Sequence, residues 1–146
     1  VSQEVVAGEG ILMDDYRDRK LLDYYLEPIA QKNNLTLGEV RLLLCLSQLR
    51  HIGTRKEIAD FAGITVRSLS LLLQRLSLKN MLKYEENRTT KELKITFLPL
   101  ASPIQNEIAA AQSNFEQAKY AGFTEDELIQ YAALTEKIKN NIKKIL

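Results

Sequence analysis

Cysteine and histidine occur once each in the 146 residues, as Cys45 and His51. A lone cysteine excludes an intrachain disulfide and suits a reducing compartment. With no His/Cys cluster there is no ligand set at metal-binding spacing, so we expect no metal and no cofactor. General acid–base chemistry is short of histidine, and neither a glycine-rich phosphate loop nor a nucleophile elbow is present. We therefore expect no enzyme. No apolar run approaches the roughly 18 residues that span a bilayer. The opening VSQEVVAGEG lacks the basic start and apolar core of a secretory signal. The expected location is the cytoplasm. The chain also opens without methionine, from which we expect a trimmed or missing native start.

An excess of charge of one sign is lacking too, since the net charge is only +1. Its distribution is more informative. Residues 54–94 carry nine basic against five acidic side chains, while residues 1–53 carry six against eight and residues 101–146 five against six. A positive middle in a slightly acidic frame is the footprint expected of a phosphate-binding core. With 45% hydrophobic and 27% charged residues, the composition is that of an ordinary soluble globular protein, and the length fits one domain or a small domain with helical extensions.

What is present in abundance is leucine at helical spacing, punctuated by capping signals. In Thr65–Lys79, Leu69, Leu72, Leu73 and Leu76 share one helical face. The opposite face carries Arg67, Ser70, Leu71, Gln74 and Leu78, with Arg75 and Lys79 on its flank. Long guanidinium and amide side chains beside a small hydroxyl are what a helix needs to read base edges in a major groove. A solvated face is the alternative, and the neighbouring elements decide between them.

Residues 1–13 have no clear period and read as a flexible arm. A helix is expected from Asp14-Asp15, whose carboxylates suit an N-terminus, and Pro28 predicts a kink or early break in it. Asn33-Asn34 reads as a turn. Thr36-Leu37-Gly38-Glu39 is a capping box opening a helix Leu37–Arg50, stapled by Leu35 and Val40, with Leu43, Leu44 and Leu46 inward. Thr54-Arg55-Lys56-Glu57 opens a short helix with Ile58, Ala59 and Phe61 inward. Gly63 fits a left-handed stop, and Thr65 is the next N-cap. Helix, glycine turn, helix is a helix-turn-helix signature. Asn80 replaces glycine as the following left-handed stop. Met81–Glu86 and Lys91–Leu98 then read as a hairpin, or wing, with Arg88 in its tip. Ser102-Pro103-Ile104-Gln105 is a third box, heading a helix striped by Ile104, Ile108, Ala111, Phe115 and Ala118 and stopped by Gly122. Thr124-Glu125-Asp126-Glu127 is a fourth, stapled by Phe123 and Leu128. Its helix carries Leu128, Tyr131, Ile138, Ile142 and Ile145 in a narrow stripe suited to a helix–helix seam. The fold class is mainly α with a small β-hairpin wing.

This order of elements resembles the MarR family of bacterial regulators, which are winged helix-turn-helix homodimers. The resemblance spans roughly Asp14–Leu146. It is carried by Leu35-Thr36, Ile58-Ala59, Gly63-Ile64-Thr65, Ser68-Leu69-Ser70, Leu76 and Met81-Leu82. Three departures stand out: Leu71 where the family usually has arginine, Asn80 where it has glycine, and no acidic-x-Arg motif in the wing. The resemblance implies a winged helix-turn-helix DNA-binding domain over 35–99. It also implies a helical dimerisation region over 14–34 and 100–146, and small aromatic acids as effectors.

On this reading Arg67 and Gln74 contact base edges, with Ser68 and Ser70 beside them and Leu71 against a thymine methyl. Arg55, Lys56, Arg75 and Lys79 meet phosphates, helped by Thr54 and the amides at its helix N-terminus. Arg88 and Lys91 serve the wing. Tyr16, Tyr24 and Tyr25 are candidates for an effector pocket, with a core or interface role as the alternative. Cys45 is expected buried and inert rather than a redox switch, and His51 at a helix C-terminus. We thus expect a homodimeric, sequence-specific regulator of double-stranded DNA, acting as a repressor on a pseudo-palindromic operator. The alternative is a winged-helix module for protein–protein contact, favoured by Leu71, Leu78 and the small net charge.

Overall fold

In the computed structural model the described residues are 10–146, so most of the expected arm lies outside them. Helix α1 spans Ile11–Lys32 and takes in the last residues assigned to that arm. It also runs through Pro28 without a break, against expectation. Leu26 before the proline and Ile29 and Ala30 after it are all buried, so packing on both sides favours a continuous helix. The carbonyl that loses its donor, four residues back at Tyr24, belongs to an exposed residue that water can reach. Asn34, with φ 54°, ends the helix while the Leu35 amide bonds the Ala30 carbonyl at 2.9 Å.

Helix α2 spans Leu37–Gln48 and is the centre of the core. Val40, Leu42, Leu43, Leu44 and Leu46 are buried, so α2 is apolar nearly all round, as a helix packed on several sides must be. It contacts α1, helix α3 (Arg55–Ala62), helix α4 (Val66–Leu78) and helix α5 (Ser102–Lys119). The capping boxes at Thr36 and Thr54 form as expected. Phe61 does not turn inward. Ile58 and Ala59 define the buried face of α3, and Phe61 projects away from it, 53% exposed.

Strand β1 (Leu82–Glu86) pairs antiparallel with β2 (Leu93–Phe97), from Leu82 opposite Phe97 to Glu86 opposite Leu93. An unexpected contact extends the sheet. Thr54 bridges Glu92, and the Leu93 amide donates to the Gly53 carbonyl at 3.0 Å. A Cβ on Gly53 would lie 2.8 Å from the Glu57 carboxylate, which folds back to complete its capping box, so a larger residue there would have to displace that carboxylate.

The expected box at Ser102 does not form. A 3₁₀ turn, Pro99–Ala101, delivers the chain to Ser102 already in helical conformation, and no side chain caps α5. Ile104, Ile108 and Ala111 are buried; the stripe then fades, with Phe115 half-buried and Ala118 exposed. Helix α6 (Glu125–Lys143) begins in a complete Thr124 capping box, and none of its residues is buried.

Candidate nucleic-acid interface

Two local devices set the attitude of α4. At its start Gly63, with φ 71°, donates to the Asp60 carbonyl at 3.2 Å while the Ile64 amide reaches Ala59 at 3.0 Å. Thr65 then caps α4 through the Ser68 amide at 3.0 Å. Leu69, Leu73 and Leu76 are buried beneath it. With that face pinned, Arg67, Ser68, Leu71, Gln74 and Arg75 are turned outward and exposed. Arg67, Gln74 and Arg75 have no side-chain partner among the described residues. Ser68 is less free, because the Thr65 hydroxyl donates to its Oγ at 3.0 Å.

The wing tip is equally well built. The Asn87 side-chain carbonyl accepts from the Thr89 and Thr90 amides at 2.8 and 3.0 Å, and Lys91 closes the turn at φ 64°. Arg88 and Lys91 are exposed there and unpaired among the described residues.

Other expected DNA contacts are already committed within the chain. Lys79 is the clearest case. Its Nζ donates to Glu39 Oε1 at 2.9 Å and to the Asn34 carbonyl at 3.1 Å. Glu39 is fully buried, and a buried carboxylate without a counter-ion is costly, so this ion pair holds the Lys79 side chain against α2. Arg55 is similarly occupied, bonded to Ser70 and Glu86. Ser70 is half-buried and accepts that Arg55 bond. The Thr54 hydroxyl serves its capping box, and its amide and hydroxyl together hold the Glu57 carboxyl below the usual range. Lys56 is exposed but paired with Asp60 at 3.0 Å, an arrangement a phosphate could exchange with at little cost.

A cleft of about 470 Å³ lies between α1, α2 and the α3–α4 turn, with Tyr16, Arg19, Lys20, Cys45, Gly63 and Leu72 among its walls. Tyr16 is the expected tyrosine that lines it. Tyr24 and Tyr25 instead pack edge to face, 5.1 Å between ring centres. Cys45 is half-buried rather than buried, and desolvation pushes its thiol up, away from the reactive thiolate. Helix α2 ends at Gln48, two residues earlier than expected, so His51 is exposed beyond it, 3.6 Å from a Glu92 oxygen. No group of three or more metal-capable side chains occurs among the described residues, nor any helix long and apolar enough to cross a membrane.

No known family profile matches the chain, and no curated protein matches it either. Solved structures do. A MarR-family regulator from Silicibacter pomeroyi aligns at TM-score 0.71 with 19% identity, over 90% of this chain and 87% of that one. MarR from E. coli aligns at 0.64 with 20% identity, over 86% and 90%. Bordetella bronchiseptica BpsR, whose DNA binding is regulated by 6-hydroxynicotinic acid, aligns at 0.62 with 14% identity, over 90% and 94%. The fold is a MarR-like winged helix.

Proposed function

We propose that this protein is a sequence-specific transcriptional regulator of double-stranded DNA. The observation that carries the reading is the contrast between its cations. On the α1–α5 side, Arg19, Lys32, Arg41 and Lys119 are each paired with a carboxylate, while Lys20 lies over the Tyr16 ring. On the exposed face of α4 and at the wing tip, Arg67, Arg75, Arg88 and Lys91 are unpaired among the described residues. Positive side chains held out on two adjacent projections match a major groove and the neighbouring minor groove. Arg67 and Gln74 read bases, Leu71 meets a thymine methyl, and Lys56, Arg75, Arg88 and Lys91 hold the backbone.

The protein acts as a homodimer. Ile138 and Ile142 on α6, with Ile145 just beyond its end, form an apolar stripe that nothing in the described chain covers, and a two-fold partner supplies the missing surface. Repression is the simplest outcome, because occupying an operator blocks competing proteins without any further contact surface. The α1–α2 cleft, with Lys20 Nζ 5.8 Å from the Tyr16 ring and Arg19 nearby, suits a small aromatic acid as effector. The expected cytoplasmic location follows from this role.

Selection of bound sites from a pool of random duplexes tests the proposal. It should enrich an inverted repeat with half-sites about one helical turn apart. A second reading, a protein-binding winged helix, is favoured by Leu71, Leu78 and Phe61, which are 46%, 76% and 53% exposed. A pool with no enriched sequence would support it instead.

A further inference from the structure

Arg55 joins three elements at once. It is the first residue of α3, yet its Nη1 donates to Ser70 Oγ on α4 at 2.9 Å. Its Nε donates to Glu86 Oε1, at the tip end of β1, at 3.2 Å. The guanidinium carbon also lies 5.7 Å from the centre of the Tyr84 ring on the same strand. The side chain is 26% exposed, well covered for an arginine at the surface. A guanidinium is a rigid planar fork, so bonds from two of its nitrogens fix its plane as well as its position. Lysine has no equivalent geometry.

The hairpin needs such a fixture. A two-stranded ribbon is marginal by itself, and its buried anchors, Leu82 and Leu93, are side chains on one face of it. Glu86 is the last residue of β1 before the tip. We infer that Arg55, Ser70 and Glu86 form a strut that sets the wing's distance and angle from α4, so that Arg55 is a positioning residue for DNA recognition rather than a phosphate contact. The inference rests on the regulator reading above for its functional meaning, but the strut itself can be tested without DNA.

The two roles for Arg55 make opposite predictions for Glu86→Gln. If Arg55 met a phosphate, losing a competing carboxylate would release it and remove a negative charge near DNA, and binding would tighten. If Arg55 is a strut, the same change loosens the wing and binding weakens. Glu86 lies on the surface of the hairpin, so this variant should fold normally.

The experiment uses the full chain with spin labels at Thr89→Cys and Gln74→Cys in a Cys45→Ser background, measured free of DNA. Duplex binding is measured in parallel on the unlabelled protein. Glu86→Gln and Arg55→Met should each broaden the distance distribution between the wing tip and α4. Arg55→Lys, which keeps the charge but not the fork, should resemble Arg55→Met. Glu86→Gln should bind its duplex about tenfold more weakly, the scale of one lost charge-assisted hydrogen bond. Unchanged distance distributions, or tighter binding by Glu86→Gln, would overturn the strut. If the unsubstituted protein bound no duplex, the regulator reading would fail while the label distances still decided whether Arg55 holds the wing.

Discussion

Glu39 illustrates how one side chain serves both local and long-range structure. Its Oε1 accepts from the Thr36 amide at 3.0 Å and from Lys79 Nζ at 2.9 Å. Burial pushes its carboxyl up, but these hydrogen bonds and the lysine charge outweigh burial and hold it below its ordinary value. A depressed carboxyl stabilises the fold above its unfolded value, near 4.3 for glutamate, and that contribution is lost as pH falls through the folded value. Wild-type stability should therefore drop more steeply than that of Glu39→Gln in acid, measured by urea unfolding across pH. Lys79→Met should cost about 2 kcal/mol at neutral pH, below the full range for a buried pair because Lys79 is partly exposed. Arg67→Ala should leave stability unchanged and relax base preference by about 1–3 kcal/mol at one position, read from a new duplex selection. The sequence shows the Thr36–Glu39 box because its partners are three residues apart. It hides the Lys79 bond, which spans 40 residues, and the Arg55–Glu86 bond, which spans 31, because no local pattern pairs them.

At the scale of elements, legibility follows the same division between local and long-range causes. The glycine turn before α4, the caps at Thr54, Thr65 and Thr124, and the alternation of β2 are local and appear where expected. Packing overrides the local rule in α1. Proline predicts a kink or early break at position 28, but the helix continues through it, with Leu26, Ile29 and Ala30 buried on either side. Pro28→Ala should thus restore a helical hydrogen bond at an exposed site and raise stability by roughly 1–3 kcal/mol, measurable as a higher urea midpoint. The Ser102 box fails for the reverse reason, since the preceding turn leaves Ser102 helical before it can cap. The bridge between Thr54 and Glu92 is invisible in sequence, because Gly53-Thr54 lacks the length and alternation of a strand.

The whole molecule is a packed core with two kinds of projection. One is α4 with the wing, carrying cations unpaired among the described residues; the other is α6, without a single buried residue. Ile138, Ile142 and Ile145 are exposed there, and the proposed homodimer would cover them. Deleting Ile138–Leu146 should shift the sedimentation mass from dimer towards monomer, whereas an unchanged dimer would remove α6 from the interface. Duplex recognition by the proposed α4 face and wing is read out by salt-dependent binding. Fluorescence anisotropy of a labelled, selected duplex should show affinity falling linearly on logarithmic axes as salt rises, with a slope set by the phosphates neutralised. Arg67→Ala should bind the selected duplex more weakly with that slope almost unchanged, as expected for a base contact. Failure of any duplex to be retained even at low salt would contradict the account.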